Sequence, residues 1–145
     1  MNITNKLRPF HLAIPVDSLT DARAFYGELL GCTEGRSSEY WIDFNFFGHQ
    51  LVVHLDQRDD RNTTRLENPV DGHGVPIPHF GIVMDMDDWK TFRDRLQAAA
   101  VQFVIEPTIR FQGKTGEQAT LFFRDPAGNN LEIKAFARVD QLFAK

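Results

Sequence analysis

The feature that most restricts how this chain can fold is an internal repeat. A histidine opens the short apolar run Phe10-His11-Leu12-Ala13-Ile14-Pro15-Val16, and another opens His79-Phe80-Gly81-Ile82-Val83-Met84. Each run leads into a cluster of helix-capping residues, Asp17 to Asp21 in the first half and Asp85 to Asp88 in the second. An amphipathic stripe follows each cluster. Ala22, Phe25, Tyr26, Leu29 and Leu30 fall on one helical face, as do Trp89, Phe92, Leu96 and Ala99 or Ala100. Gly31 stands where a left-handed helix cap is wanted.

Strand-like segments complete each half. Thr33 to Tyr40 has only a weak pattern, but Trp41 to Phe46 alternates at period two. Gly48 breaks that run, and Gln50 to Leu55 reads as another strand. In the second half, Phe103-Val104-Ile105 begins a strand region that Ala119 to Phe123 continues. Asp125-Pro126-Ala127-Gly128 is a turn, and Leu131 to Phe136 closes the half. Each half is therefore β-α-β-β-β, and the predicted class is α+β with two tandem modules. Module one covers 8–56, a linker 57–77, module two 78–137 and a tail 138–145. The polar stretch from Asp56 to Pro78 is expected as a loop, and Ile109 to Gln118, with two glycines, as a lid. Pro15 and Pro78 are expected at edges or turns. Neither module can bury both faces of a sheet alone, so the modules are expected to pack together, and a homodimer is expected. With a helix on one face of each sheet, the opposite faces would curve around a shared cleft.

Composition excludes several functions. A hydrophobic fraction of 42% with 25% charged residues fits a globular chain with a sizeable core. A net charge of −4 argues against a nucleic-acid partner, which favours a basic surface. No apolar run approaches the roughly 20 residues of a membrane span, and no signal-peptide core is visible. Cys32 stands alone, so no disulfide framework is expected and the cytoplasm is the default compartment. Its thiol is expected to be unreactive. Thirteen phenylalanines suggest aromatic-lined interior space as well as core.

Three residues carry the chemical message. His11 and His79 recur at the same place in the repeat, and Glu132 lies inside an apolar strand. A carboxylate there is costly unless a cation holds it. Lys134 shares its strand and face, but such a pair rarely justifies burial. Two imidazoles and one carboxylate form a facial triad, which leaves coordination positions open for substrate and oxygen. His54 lies two residues beyond Val52 on the same strand face, where it is expected to act as an acid/base or, with a bulge, as a fourth ligand. His49 and His73 are expected at an exposed turn and in a loop.

These features resemble the vicinal oxygen chelate superfamily of glyoxalase I, bleomycin-resistance proteins and extradiol dioxygenases. The resemblance rests on His11, on Ala22-Arg23-Ala24-Phe25-Tyr26-Gly27-Glu28-Leu29-Leu30-Gly31, on His79, and above all on Phe122-Phe123-Arg124-Asp125-Pro126-Ala127-Gly128-Asn129-Asn130-Leu131-Glu132. Small predicted extradiol dioxygenases are the most similar members. The resemblance implies two βαβββ modules forming a cupped mixed sheet around a divalent metal, with His11, His79 and Glu132 as ligands. Val52 occupies the remaining ligand place, four residues after Gly48 as Glu132 is after Gly128, and cannot bind a metal. Glyoxalase I-like members carry a carboxylate there.

The implied activity is extradiol-type cleavage of a small catechol-like substrate by dioxygen, with Fe(II) as the metal and Mn(II) or Zn(II) as alternatives. Tyr40, Arg110, Glu117 and Gln118 are the candidate substrate contacts. Larger ring-cleaving members carry a tyrosine where this chain has Ala119-Thr120-Leu121-Phe122-Phe123. Two other readings stay open: another metal-dependent reaction on the same scaffold, such as isomerisation or an antibiotic-modifying transfer, and a non-catalytic small-molecule binder.

Overall fold

Alternating apolar residues place the strands of the first half, and their pairing fixes its one sheet. The computed structural model describes residues 3–58, 66–70 and 73–145. These divide into two units, Met1–Asp59 and Asp60–Lys145. In the first, β1 (His11–Val16), β2 (Thr33–Ser37), β3 (Trp41–Phe46) and β4 (His49–Leu55) form a mixed sheet in the order β1-β4-β3-β2. Only β1 and β4 run parallel. Ile14, Val16, Ile42, Phe44, Leu51 and Val53 are buried. Ser18 caps the helix, accepting a hydrogen bond from the Asp21 N–H at 3.1 Å.

The expected helix is present but is not uniform. One α-helical turn (α1, Leu19–Ala22) opens into a wider π-helical stretch over Arg23–Leu29. The Leu30 N–H reaches back to the Phe25 carbonyl at 3.0 Å. A wider turn lines up residues four apart, and Ala22, Tyr26 and Leu30 are all buried beside Phe25. Gly31 then takes φ +81°, which ends the helix. Cys32 follows, buried, and burial pushes its thiol up to about 11.

In the second unit, Asp85 caps α2 (Met86–Ala98) by accepting from the Asp88 N–H at 2.8 Å. Trp89, Phe92 and Leu96 are buried as the stripe predicts. Ala99 and Ala100 are not: the helix has ended, Ala100 has φ +56°, and both are exposed. The sheet order is β7-β10-β9-β8, with β7 (Val83–Met84), β8 (Phe103–Arg110), β9 (Gln118–Arg124) and β10 (Asn130–Phe136). Again one pair, β7 and β10, is parallel. Both sheets thus have the βαβββ connectivity that the sequence predicts. Leu131, Ile133 and Ala135 of β10 are fully buried, and the Trp89 indole N–H donates to the Ile133 carbonyl at 3.0 Å.

Three expectations need correction. His79 to Met84 is not one strand. Phe80 bridges Leu131, β7 begins only at Val83, and His79 lies just before the first rung. Gly81 between them presses on β10, where a Cβ would collide with the Glu132 carbonyl oxygen. The expected lid is instead a hairpin turn over residues 111–117. β8 extends to Arg110, β9 starts at Gln118, and Gly113 and Gly116 supply positive φ at the bend. Finally, residues 59–65 and 71–72 of the expected linker lie outside the described residues. The remainder is not loop, because β5 (Leu66–Val70) and β6 (His73–Ile77) pair as an antiparallel hairpin. Val75 of that hairpin packs with Ile105 and Phe122. Among the described residues no helix is long and apolar enough to cross a membrane.

The turn before β10 is held by one buried carboxylate. Asp125 accepts hydrogen bonds from the Ala127 and Asn129 N–H groups at 2.9 and 2.8 Å, and from the Asn129 side-chain amide at 2.8 Å. Asp125→Ala leaves these donors without an acceptor and is expected to cost roughly 2–3 kcal/mol of stability. Urea denaturation checks it, and a loss near zero would show that the turn does not anchor β10. For Cys32, iodoacetamide at neutral pH is expected to label the protein only after unfolding, because the folded thiol is both buried and protonated.

Candidate metal centre and its cavity

Alternation along β10 sends Glu132 away from the α2 core, onto the face that carries Phe122 and Thr120. His79 meets it there. The His79 Nε2 lies 3.2 Å from Glu132 Oε2. The other ring nitrogen, Nδ1, is 2.7 Å from the Pro76 carbonyl oxygen. A carbonyl only accepts, so Nδ1 carries the proton and donates, which leaves Nε2 to face the carboxylate. The ring packs edge-on against Phe122, with centroids 4.9 Å apart. Glu132 Oε1 accepts from the Thr120 hydroxyl at 2.8 Å. Lys134 does not pair with Glu132; its ammonium lies 5.6 Å from the Phe136 ring centroid.

Beside this pair opens a cavity of about 260 Å³. Its walls are apolar at Val70, Val75, Ile105, Ala119 and Phe122, and polar at Thr108, Arg110, Gln118, Thr120, Glu132 and Lys134. Arg110 and Gln118, candidate substrate contacts, therefore share a cavity with Glu132. Glu117 has another task. Its Oε2 accepts from the Gly113 N–H at 2.7 Å and closes the hairpin turn.

The first unit holds the remaining candidates. His11 Nδ1 lies 2.8 Å from Gln50 Oε1, and Gln50 Nε2 donates to Asp43 Oδ2 at 3.4 Å. Because the carboxylate only accepts, the amide oxygen faces His11, and Nδ1 is again the protonated nitrogen. His11 is exposed, with Nε2 as its lone-pair nitrogen. His54 is exposed, opposite Pro15 and Trp41, in a strand whose register is unbroken. With no bulge, it stands four residues along the strand from the His11–Gln50 pair, about 13 Å away. That distance removes His54 as a fourth ligand beside His11. Tyr40, also exposed, lies in the turn before β3, and the His49 Nδ1 accepts from the Phe10 N–H at 2.8 Å. His73 opens β6, and its side chain lies outside the described residues.

Sequence reasoning passed over Asp43, Gln50 and Thr120. A signal for Gln50 was present in the repeat: two residues after Gly48 and after Gly128 stand Gln50 and Asn130, both amides. The ladders also reveal an exchange. Val52 lies opposite Asp43, whereas Glu132 lies opposite Phe122. The carboxylate and the apolar residue have swapped strands between the two units.

The donor chemistry at His79 and Glu132 suits a divalent ion. Both are half-buried, and a lone-pair nitrogen facing a carboxylate oxygen is stable only with a proton or a cation between them. Among the described residues no group of three or more His, Cys, Asp or Glu side chains is gathered to hold an ion; of the three expected ligands, the structure brings together His79 and Glu132.

The sequence model of the Glyoxalase/Bleomycin resistance protein/Dioxygenase superfamily matches residues 8–133, and the chain belongs to that superfamily. A crystal structure of a glyoxalase/bleomycin resistance protein/dioxygenase from Alicyclobacillus acidocaldarius is 33% identical, covers 99% of each chain and has a TM-score of 0.72. A glyoxalase/dioxygenase from Nostoc punctiforme is 18% identical over 95% of this chain and 97% of its own, with a TM-score of 0.68. A lactoylglutathione lyase from Agrobacterium tumefaciens is 22% identical over 97% and 99%, with a TM-score of 0.63. At such identities the last two share the fold alone. A search of curated proteins finds no match.

Proposed function

We propose that the chain is a divalent-metal-dependent enzyme of the extradiol dioxygenase type, acting on a small substrate with two adjacent oxygens. His79 and Glu132 are metal ligands in this reading, and His11 is the third, from its matching place in the repeat. The observation that carries the proposal is the contact of His79 Nε2 with Glu132, made while Nδ1 is committed to Pro76. The ion, Fe(II) in this reading, would acidify a substrate hydroxyl and hold the two reactants together.

The chain's own residues set the stage for that chemistry. The Pro76 carbonyl and the Phe122 ring fix the plane and tautomer of His79. The Thr120 hydroxyl holds one oxygen of Glu132, leaving the other directed at His79. Val75, Ile105 and Phe122 form an apolar wall of the cavity that Glu132 also lines. A second reading is a redox-neutral reaction on the same scaffold, with Mn(II) or Zn(II). It is favoured by Thr120 and its neighbours, which offer no tyrosine hydroxyl within residues 119–123.

Anaerobic titration with Fe(II), then oxygen uptake on a panel of catechols, tests the proposal. One ion per chain is expected, lost in Glu132→Ala and in His79→Ala and weakened in His11→Ala. Thr120→Val, which removes the bond that orients Glu132, is expected to lower affinity about 10–100-fold. Binding without oxygen uptake would favour the redox-neutral reading. No binding by the wild type would leave the chain as a small-molecule binder.

A further inference from the structure

The hairpin of β5 and β6 stands apart in the second unit. Among the described residues its strands pair with each other and with no strand of the four-stranded sheet. A two-stranded hairpin is marginal in water and needs packing from elsewhere. Here that packing is narrow. Val75 and Pro76 are buried, whereas Glu67, Pro69, Val70 and Gly74 are exposed. Val75 supplies the apolar contact, with Ile105 and Phe122. The Glu67 carboxylate lies across Gly74 of the neighbouring strand, so it serves the hairpin itself.

The residues that follow are held quite differently. The Pro78 carbonyl accepts from the Asn130 side-chain amide at 3.2 Å. The Phe80 N–H donates to the Asn130 carbonyl at 3.1 Å, and the Glu132 N–H donates to the Phe80 carbonyl at 2.8 Å. His79 is thus bracketed by two residues bonded to β10, while Pro76 belongs to the loosely held hairpin. One hydrogen bond crosses that boundary, from His79 Nδ1 to the Pro76 carbonyl at 2.7 Å. Segments with few buried contacts open locally, well before the sheet they rest on. When this one lifts, the His79 backbone stays and its acceptor leaves.

The hairpin is also a wall of the cavity. Val70 and Val75 line it together with Ile105, Ala119 and Phe122, and Val70 is half exposed. An apolar ligand in that space covers Val70 and adds to Val75 the packing that the hairpin lacks. Val75 and Pro76 are neighbours, so what seats one seats the other.

We propose that the β5–β6 hairpin is a strap that closes over the cavity and sets His79, with Val75 and Pro76 as positioning residues. Val75 seats the strap, and the Pro76 carbonyl then fixes the imidazole. Occupancy of the cavity and the orientation of His79 are therefore coupled, each favouring the other. The consequence for metal affinity rests on the function proposed above; the link between strap and imidazole does not.

Deuterium exchange on the metal-free full chain tests the first step. Amides of Leu66–Val70 and His73–Ile77 are expected to exchange faster than those of β9 and β10. Val75→Ala, which removes two buried methyl groups, should speed them roughly tenfold further, with β9 and β10 unchanged. Nitrogen-15 NMR of the His79 side chain tests the second step, at one pH for all proteins. The wild type should hold its proton on Nδ1, Val75→Ala should lose that preference, and Val75→Ile should keep it. A role of Val75 in packing alone would leave the ring unmoved. A hairpin that exchanges in step with β9 and β10 in the wild type, or a His79 indifferent to Val75→Ala, overturns the proposal. Titration with Zn(II) separates it from the metal reading. Val75→Ala is expected to bind about tenfold more weakly, as for loss of a group that orients a ligand. A His79 that responds in proteins that take up no Zn(II) sinks the metal reading alone. Equal Zn(II) binding with His79 unmoved sinks the strap alone.

Discussion

The alternation of β10 is the constraint on which the second half of this protein depends. Leu131, Ile133 and Ala135 face α2 and are fully buried, while Asn130, Glu132 and Lys134 face the other way. A slip of one residue would drive Glu132 and Lys134 into the core and expose its most buried residues. Several features guard against that slip. Trp89 hydrogen-bonds the Ile133 backbone, Phe80 and Ile82 bond β10 from its parallel side, and Asp125 fixes the turn before it. Gly81 allows its own backbone to approach β10 so closely that no other residue fits. A fold device and a chemical device are thus the same strand.

The repeat explains how a second imidazole of like character arises with different neighbours. In both units a histidine stands next to the parallel pair of strands, and in both its Nδ1–H is committed. Gln50, itself held by Asp43, takes that proton in the first unit, and the Pro76 carbonyl takes it in the second. Nε2 is the ring nitrogen that remains, and in the second unit it faces Glu132. A tautomer fixed in this way is what a metal ligand requires, since the ring then presents a lone pair without rotating. The departure of the first unit from the symmetrical pattern is equally informative. Val52 stands where the second unit has Glu132, and the carboxylate appears one strand over, as Asp43, where it orients Gln50.

Much of this was legible in the sequence. The two βαβββ modules follow from period-two and helical apolar spacing, and Glu132 stood out because an apolar strand does not bury a carboxylate without cause. What escaped prediction depended on tertiary contacts. The π-helical turn over Arg23–Leu29 differs from an α-helix by a shift of one residue in hydrogen bonding, which leaves almost the same apolar stripe. The β5–β6 hairpin carries Pro69 and Pro76 inside two short strands and sits among polar residues, so it reads as loop, and the packing of Val75 on Ile105 and Phe122 is a tertiary contact that the local sequence does not announce. The sequence marks Lys134 solely as a rival partner for Glu132, since its place in the cavity is set by the register with Thr120. His54 drew notice by lying on the face of Val52, but the regular strand puts it too far along to share an ion with His11.

The central claim is that His79 is a neutral imidazole offering Nε2 to a cation shared with Glu132. Nitrogen-15 NMR of the histidine side chains during titration with Zn(II), a diamagnetic stand-in, tests it most directly. His79 Nε2 is expected to shift to the position of a metal-bound nitrogen at one equivalent, while Nδ1 keeps its proton. A His79 that stays doubly protonated against Glu132 throughout the titration would contradict it, leaving a structural ion pair where we place a metal centre.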